Sequence, residues 1–199
     1  MAILQGDRIL VGRIAGRSEM GWYSASARFL DLLLMLPMLL GMSVQPMFAR
    51  EAHAGPLASS ARARKVWRLA NWAAVLAAVL VWAASRRLVP LVFGPAYGEA
   101  VKILNVQAWI VIFVTQVSLR TRMLIAEGKP VLVLVLSLAT AVVQFTVLPF
   151  AVRLGGGVGA AYATLFAWIV GALIAPLFFG KTRWFVLAFW RAILFPFRA

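Results

Sequence analysis

The hydrophobic positions of this chain gather into long runs separated by short polar or glycine-containing gaps. Five runs reach the length of a bilayer crossing: Phe29–Ala49, Leu69–Ser85, Ile103–Leu119, Val131–Val152 and Val158–Phe179. A helix needs about 20 mostly apolar residues to cross the hydrocarbon core, and a helix satisfies its own backbone polar groups there. Gly94-Pro95, Gly128-Lys129-Pro130 and Gly155-Gly156-Gly157 fall between runs and predict helix stops or turns. The predicted fold class is all-α, a polytopic transmembrane helix bundle with five full spans.

The two ends depart from this pattern. Met1–Ile14 is apolar in cast but too short to span, and it carries Asp7, Arg8 and Arg13. It reads as the last turns of a helix, and it lacks the basic flank, apolar stretch and small-residue cleavage site of a signal peptide. At the other end Lys181 and Arg183 close the fifth run, and Trp184–Arg191 is apolar and aromatic again before Pro196 and Arg198. An interfacial aromatic helix accounts for this segment better than a short sixth span. The expected division is therefore a helical lobe over 1–180 and a cytoplasmic or interfacial basic-aromatic tail over 181–199. The loop Glu51–Val66 is expected to be the mobile linker.

Composition strengthens the membrane reading. Of the 199 residues 63% are hydrophobic and 13% charged, against about 45–50% and about 25% in soluble domains. The net charge of +14 alone would also suit a nucleic-acid binder, but the cations sit in gaps between apolar runs, which excludes that partner. If the loop after the first span is cytoplasmic, twelve Lys and Arg lie on that side (positions 50, 62, 64, 65, 68, 120, 122, 129, 181, 183, 191, 198). Six lie opposite (13, 17, 86, 87, 102, 153), with Arg8 and Arg28 unassigned. This bias predicts an inner-membrane protein with a cytoplasmic C-terminus. The absence of cysteine excludes disulfide scaffolds, thiolate metal sites and thiol catalysis.

Five sequence pieces then carry a family resemblance. They are Gln5–Gly12, Gly21–Arg28, Gln45-Pro46 with Arg50, Phe93–Tyr97 before Ala100, and Gly157–Thr164. In this order they resemble the second lobe of polysaccharide and oligosaccharide flippases, of the multidrug/oligosaccharidyl-lipid/polysaccharide exporter superfamily. The resemblance implies a two-lobed transporter moving lipid-linked sugars from the cytoplasmic to the outer leaflet. It also implies that this chain enters its lobe partway through the first helix and works with a complementary lobe or as a self-dimer. No cofactor is expected.

Candidate site residues follow from the cost of ionisable groups in lipid, about 2.5–3.5 kcal/mol each at mid-membrane on insertion scales. Asp7, Arg8, Arg28 and Asp31 must face protein or water. Arg28 and Asp31 are three apart and are expected to pair, either serving a diphosphate or coupling cation or simply fastening two helices. Arg120 and Arg122 end the third run, where they gather an anionic headgroup or anchor the span. Gln45, Asn105 and Gln116, with Gln107 and Gln144, line a sugar path or bond between helices. Pro37, Pro46 and Pro149 permit bends. Gly155, Gly159 and Ala163 suit close helix packing, and Trp22, Trp67, Trp82 and Trp184 suit an aromatic belt.

Enzyme chemistry is not expected. His53 is the only histidine and has no evident nucleophile or metal-ligand companion. The expected function is a transporter lobe that translocates lipid-linked oligosaccharide or polysaccharide precursors by alternating access. A drug/cation antiporter lobe and a non-transporting interaction subunit or inactive remnant are the alternatives.

Overall fold

The computed structural model describes residues 2–55, 57, 60–180 and 182–187, and among them there are helices and no strands. The helices are α1 (Ala2–Ala15), α2 (Arg17–Ala54), α3 (Ala61–Phe93), α4 (Gly98–Gln107), α5 (Ile110–Ala126) and α6 (Pro130–Ile169). A π-helical turn over Val170–Ile174 and a 3-10 turn over Ala175–Phe178 continue α6. Local sequence explains the breaks. Gly16 and Gly94 adopt φ of 95° and 87° after α1 and α3, which disfavours any residue with a Cβ. The Ser60 hydroxyl accepts from the Ala63 N–H at 3.1 Å and starts α3.

Three helical stretches are long and apolar enough to cross a bilayer, Arg17–His53, Ala61–Phe93 and Pro130–Phe178. The pair Pro95–Gln107 and Ile110–Ala126 makes a fourth, bent by 42°. The stretch from Pro130 is two crossings. Were α6 straight, Gln144 and Thr164 would stand about 30 Å apart at 1.5 Å per residue, yet their side chains meet at 3.0 Å. The chain reverses at Gly155 and Gly156, whose backbones are non-helical, giving two antiparallel arms over 130–154 and 157–169. The glycine triplet is thus the predicted turn, and with the hairpin counted as two arms the five predicted apolar runs all lie in helical stretches, the third of them bent.

Apolar packing holds the arms together. Val11, Tyr23, Ile103, Leu148, Val152 and Ala160 form a core near the α6 reversal. Phe48, Leu57, Trp67, Leu119, Met123, Leu136 and Phe185 form another at the opposite end. Trp67 was expected in an aromatic belt but is buried, its ring 6.0 Å from that of Trp184 and 5.3 Å from that of Phe185. The start of the aromatic tail is therefore docked on α3. The rest of the expected interfacial tail, at 181 and 188–199, lies outside the described residues.

The loop expected to be mobile is tied down where it is described. Leu57 is buried in the core and donates its N–H to Glu127 Oε1 at 3.0 Å. Ser60 donates to Glu51 at 2.8 Å. Its composition suggested a linker because its anchors lie far away in sequence: Glu127 is 70 residues from Leu57.

The small-residue spacing is used at Gly159, where an added Cβ would stand 2.0 Å from the Ala151 carbonyl oxygen. Gly159→Ala is expected to lower unfolding stability in detergent by about 3 kcal/mol, as strain at a packed backbone does. Gly21→Ala, with nothing within 4 Å of its added Cβ, should be neutral or stabilising by about 0.5–1 kcal/mol. Equal loss in both would refute the hairpin packing.

Candidate functional site

The bundle interior between the two apolar cores is polar, and Asp7 of α1 lies at its centre with no exposed surface. Its Oδ2 accepts from Gln144 Nε2 at 2.9 Å, from the Thr164 hydroxyl at 3.0 Å and from the Tyr23 hydroxyl at 3.4 Å. One carboxylate thus joins α1, α2 and both arms of α6. Gln144 Nε2 also donates to Thr164 Oγ1 at 3.0 Å, and Thr164 divides its single proton between Asp7 and the Ala160 carbonyl oxygen at 2.9 Å. Gln144 is ten residues from the end of its arm, about 15 Å along the helix, so the cluster sits near the middle of that arm.

This cluster is not saturated. Asp7 Oδ1, Gln144 Oε1 and both amide atoms of the fully buried Gln107 have no hydrogen-bond partner among the described residues. A buried polar atom without a partner costs about 1–3 kcal/mol, so such a concentration marks a place built for something besides stability. Oxygen acceptors around one carboxylate suit a proton or a small hard cation. Among the described residues no group of three or more His, Cys, Asp or Glu could hold a metal.

The expected Arg28–Asp31 pairing is replaced by another. Asp31 Oδ2 accepts from Arg8 at 2.6 Å across α1 and α2, while Arg28 lies exposed with its guanidinium 6.0 Å from the Phe93 ring centroid. Three residues of separation put Arg28 and Asp31 on neighbouring positions, but α1 lies on one flank and α3 on the other, and each side chain turns to its own flank.

The remaining candidates separate by location. Asn105 accepts from Ser85 at 2.6 Å, linking α4 to α3. Gln116 is buried and bonds Asn71, linking α5 to α3. Gln45 is exposed on α2 and accepts from Arg122 at 2.6 Å. Arg122 lies against Gly41, where an added Cβ would stand 2.1 Å from its Nε.

Arg120 is buried and donates to the Gly171 and Ala172 carbonyls at 2.9 and 3.3 Å. The reason lies in the backbone. Pro176 has no N–H, and the Ala175 N–H reaches back to Val170 in the π-helical turn, so these two carbonyls lose their regular donors. Arg120 replaces them from α5. It acts as an interior strap, at a depth where a headgroup anchor would not be buried.

Sequence reasoning left Tyr23 and Thr164 out of the site and gave Gln144 no special standing. A signal was available: folding the chain at Gly155-Gly156 sets Gln144 opposite Thr164.

A family model, MatE, matches residues 3–150. The search of curated proteins and the search of solved structures each returned no match.

Replacing Arg120 with Met removes the donor from two buried carbonyls and is expected to destabilise by about 2–6 kcal/mol, at about 1–3 kcal/mol each. Arg120→Lys should recover part of that loss in a detergent unfolding titration. A neutral Arg120→Met would show that the strap bears no load.

Proposed function

Because the chain belongs to the MatE family of membrane exporters, we propose that it is one lobe of a transporter that moves lipid-linked oligosaccharide or polysaccharide precursors across the inner membrane. Its C-terminus would face the cytoplasm, and a complementary lobe or second copy would complete the translocation path. The observation that supports a transport role, common to this reading and to the antiporter reading below, is the buried Asp7 cluster, an unsaturated ionisable centre at mid-bundle in an otherwise apolar protein.

The mechanism follows from that centre. When Asp7 is ionised, its three donors hold α1, α2 and the two arms of α6 in one arrangement. When a proton or cation occupies the free oxygens, the charge that organises those donors is neutralised, and the helices have reason to repack. Such a two-state element can drive alternating access, because the ion stabilises one arrangement more than the other. Arg8 and Arg122, both held on the α2 surface, supply the cationic contacts that replace water around an anionic headgroup.

A drug/cation antiporter lobe is the second reading, favoured by one feature: the fully buried Asp7 is a carboxylate, whereas Arg28 is exposed. Reconstitution into vesicles separates the two. Asp7→Asn, close to isosteric, should leave a folded protein and reduce translocation more than tenfold, a barrier change of about 1.4 kcal/mol or larger. Arg8→Gln with Arg122→Gln should depress transport of an anionic sugar-lipid and spare that of a cationic drug. Translocation untouched by Asp7→Asn would overturn the coupling role. A chain that transports nothing, alone or with a complementary lobe, would favour a non-transporting subunit.

A further inference from the structure

The outward surface of α2 divides into two stripes. At 100° per residue, Asp31, Met35, Met38, Met42 and Gln45 share an arc of about 80°, and Leu32, Leu36 and Leu39 occupy the next. Both stripes are uncovered: the methionines are 55%, 43% and 53% exposed and the leucines 64%, 46% and 59%. The large exposed apolar side chains of α3 and α6 are Leu, Val, Trp, Phe and Tyr, and among the described residues all the exposed methionines belong to α2.

The leucine stripe suits acyl chains, but the methionine stripe does not. It begins at Asp31, whose side chain is half exposed, and ends at Gln45, also exposed. These lie 14 residues apart, about 21 Å, within the roughly 30 Å of hydrocarbon. A carboxylate and an amide exposed on a helix long and apolar enough to cross a bilayer are poor partners for acyl chains, so this face suits water or a ligand. Each polar end also holds an arginine, Arg8 on Asp31 and Arg122 on Gln45. The Nε of each is buried with no hydrogen-bond partner among the described residues. Two guanidinium groups against one carboxylate leave the stripe with a positive balance.

We propose that Met35, Met38 and Met42 form a binding wall for an anionic amphiphile whose apolar part is polarizable, its acidic group held at Arg122. Thioethers are flexible and make favourable contacts with aromatic and other π-bearing groups, while offering little to sugar hydroxyls. The planar guanidinium matches a phosphate or carboxylate. Gly41 makes the seat, because its missing Cβ leaves the space in which the Arg122 guanidinium lies. The wall therefore selects for a ligand's apolar portion and acidic group, independent of any sugar. This deepens the transport reading, and binding is measured without transport so that the two fail separately.

The test uses the full chain in zwitterionic nanodiscs, with methionine methyl groups labelled with carbon-13. The probe is 2-naphthyl phosphate; 2-naphthol lacks its charge and octyl phosphate lacks its ring. Titration should shift the Met35, Met38 and Met42 methyl signals, assigned by single Met→Leu variants, and leave buried Met123 unmoved. Arg122→Gln should weaken the apparent affinity about tenfold or more, and both control compounds should bind more weakly than the probe. Because the chain has no cysteine, Met38→Cys and Leu39→Cys can also be compared with a charged thiol reagent. Met38→Cys should react and be protected by the probe, whereas Leu39→Cys should not react. Unmoved methionine methyls at saturating probe, octyl phosphate acting as strongly as the probe, or equal labelling of both cysteines would overturn the wall. A chain that binds the probe here but moves no substrate would support the wall and sink the transport reading.

Discussion

One constraint organises this protein: in an apolar bundle surrounded by lipid, polar groups find their partners within the protein, on other helices. The Asp7 carboxylate shows the consequence most directly. Its three donors come from α2 and from both arms of α6, so a single side chain sets where four helical segments meet. Similar ties recur around it, from Ser85 to Asn105, from Gln116 to Asn71, and from Arg120 to the carbonyls freed by Pro176. Apolar packing fills the space between these ties. It does not by itself choose among the many ways to pack greasy helices.

The same constraint separates structural polar groups from functional ones. Asn105, Gln116 and Arg120 each have partners among the described residues, and each joins two helices. Asp7, Gln144 and Gln107 leave polar atoms buried and unmatched. On the surface, Asp31 and Gln45 are exposed on a helix long and apolar enough to cross a bilayer, and they bracket the methionine stripe. The linking groups are thus satisfied, and the unmatched atoms of Asp7, Gln144 and Gln107 gather at the place where the proposed ion would act.

Much of the architecture was legible in the order of residues. Span length, glycine breaks and the Gly155–Gly157 turn depend on local composition, and local composition is what a sequence displays. The transporter family was legible too, from short pieces in a fixed order. Side-chain partners were not, because they depend on which faces meet. Arg28 and Asp31, adjacent on one helix, diverge to Phe93 and Arg8. Leu57 is fixed by a glutamate 70 residues away. Trp67, placed by its position near a span end in a belt, is core because the chain returns at Trp184 and Phe185 to cover it.

The central claim is that Asp7 energetically joins helices that are remote in sequence. A double-mutant cycle on Asp7→Asn and Gln144→Leu, read by reversible unfolding in mixed micelles, measures that coupling directly. An interaction energy of about 1 kcal/mol or more is expected, within the range for residues sharing one buried network. Simple additivity of the two single variants would contradict it.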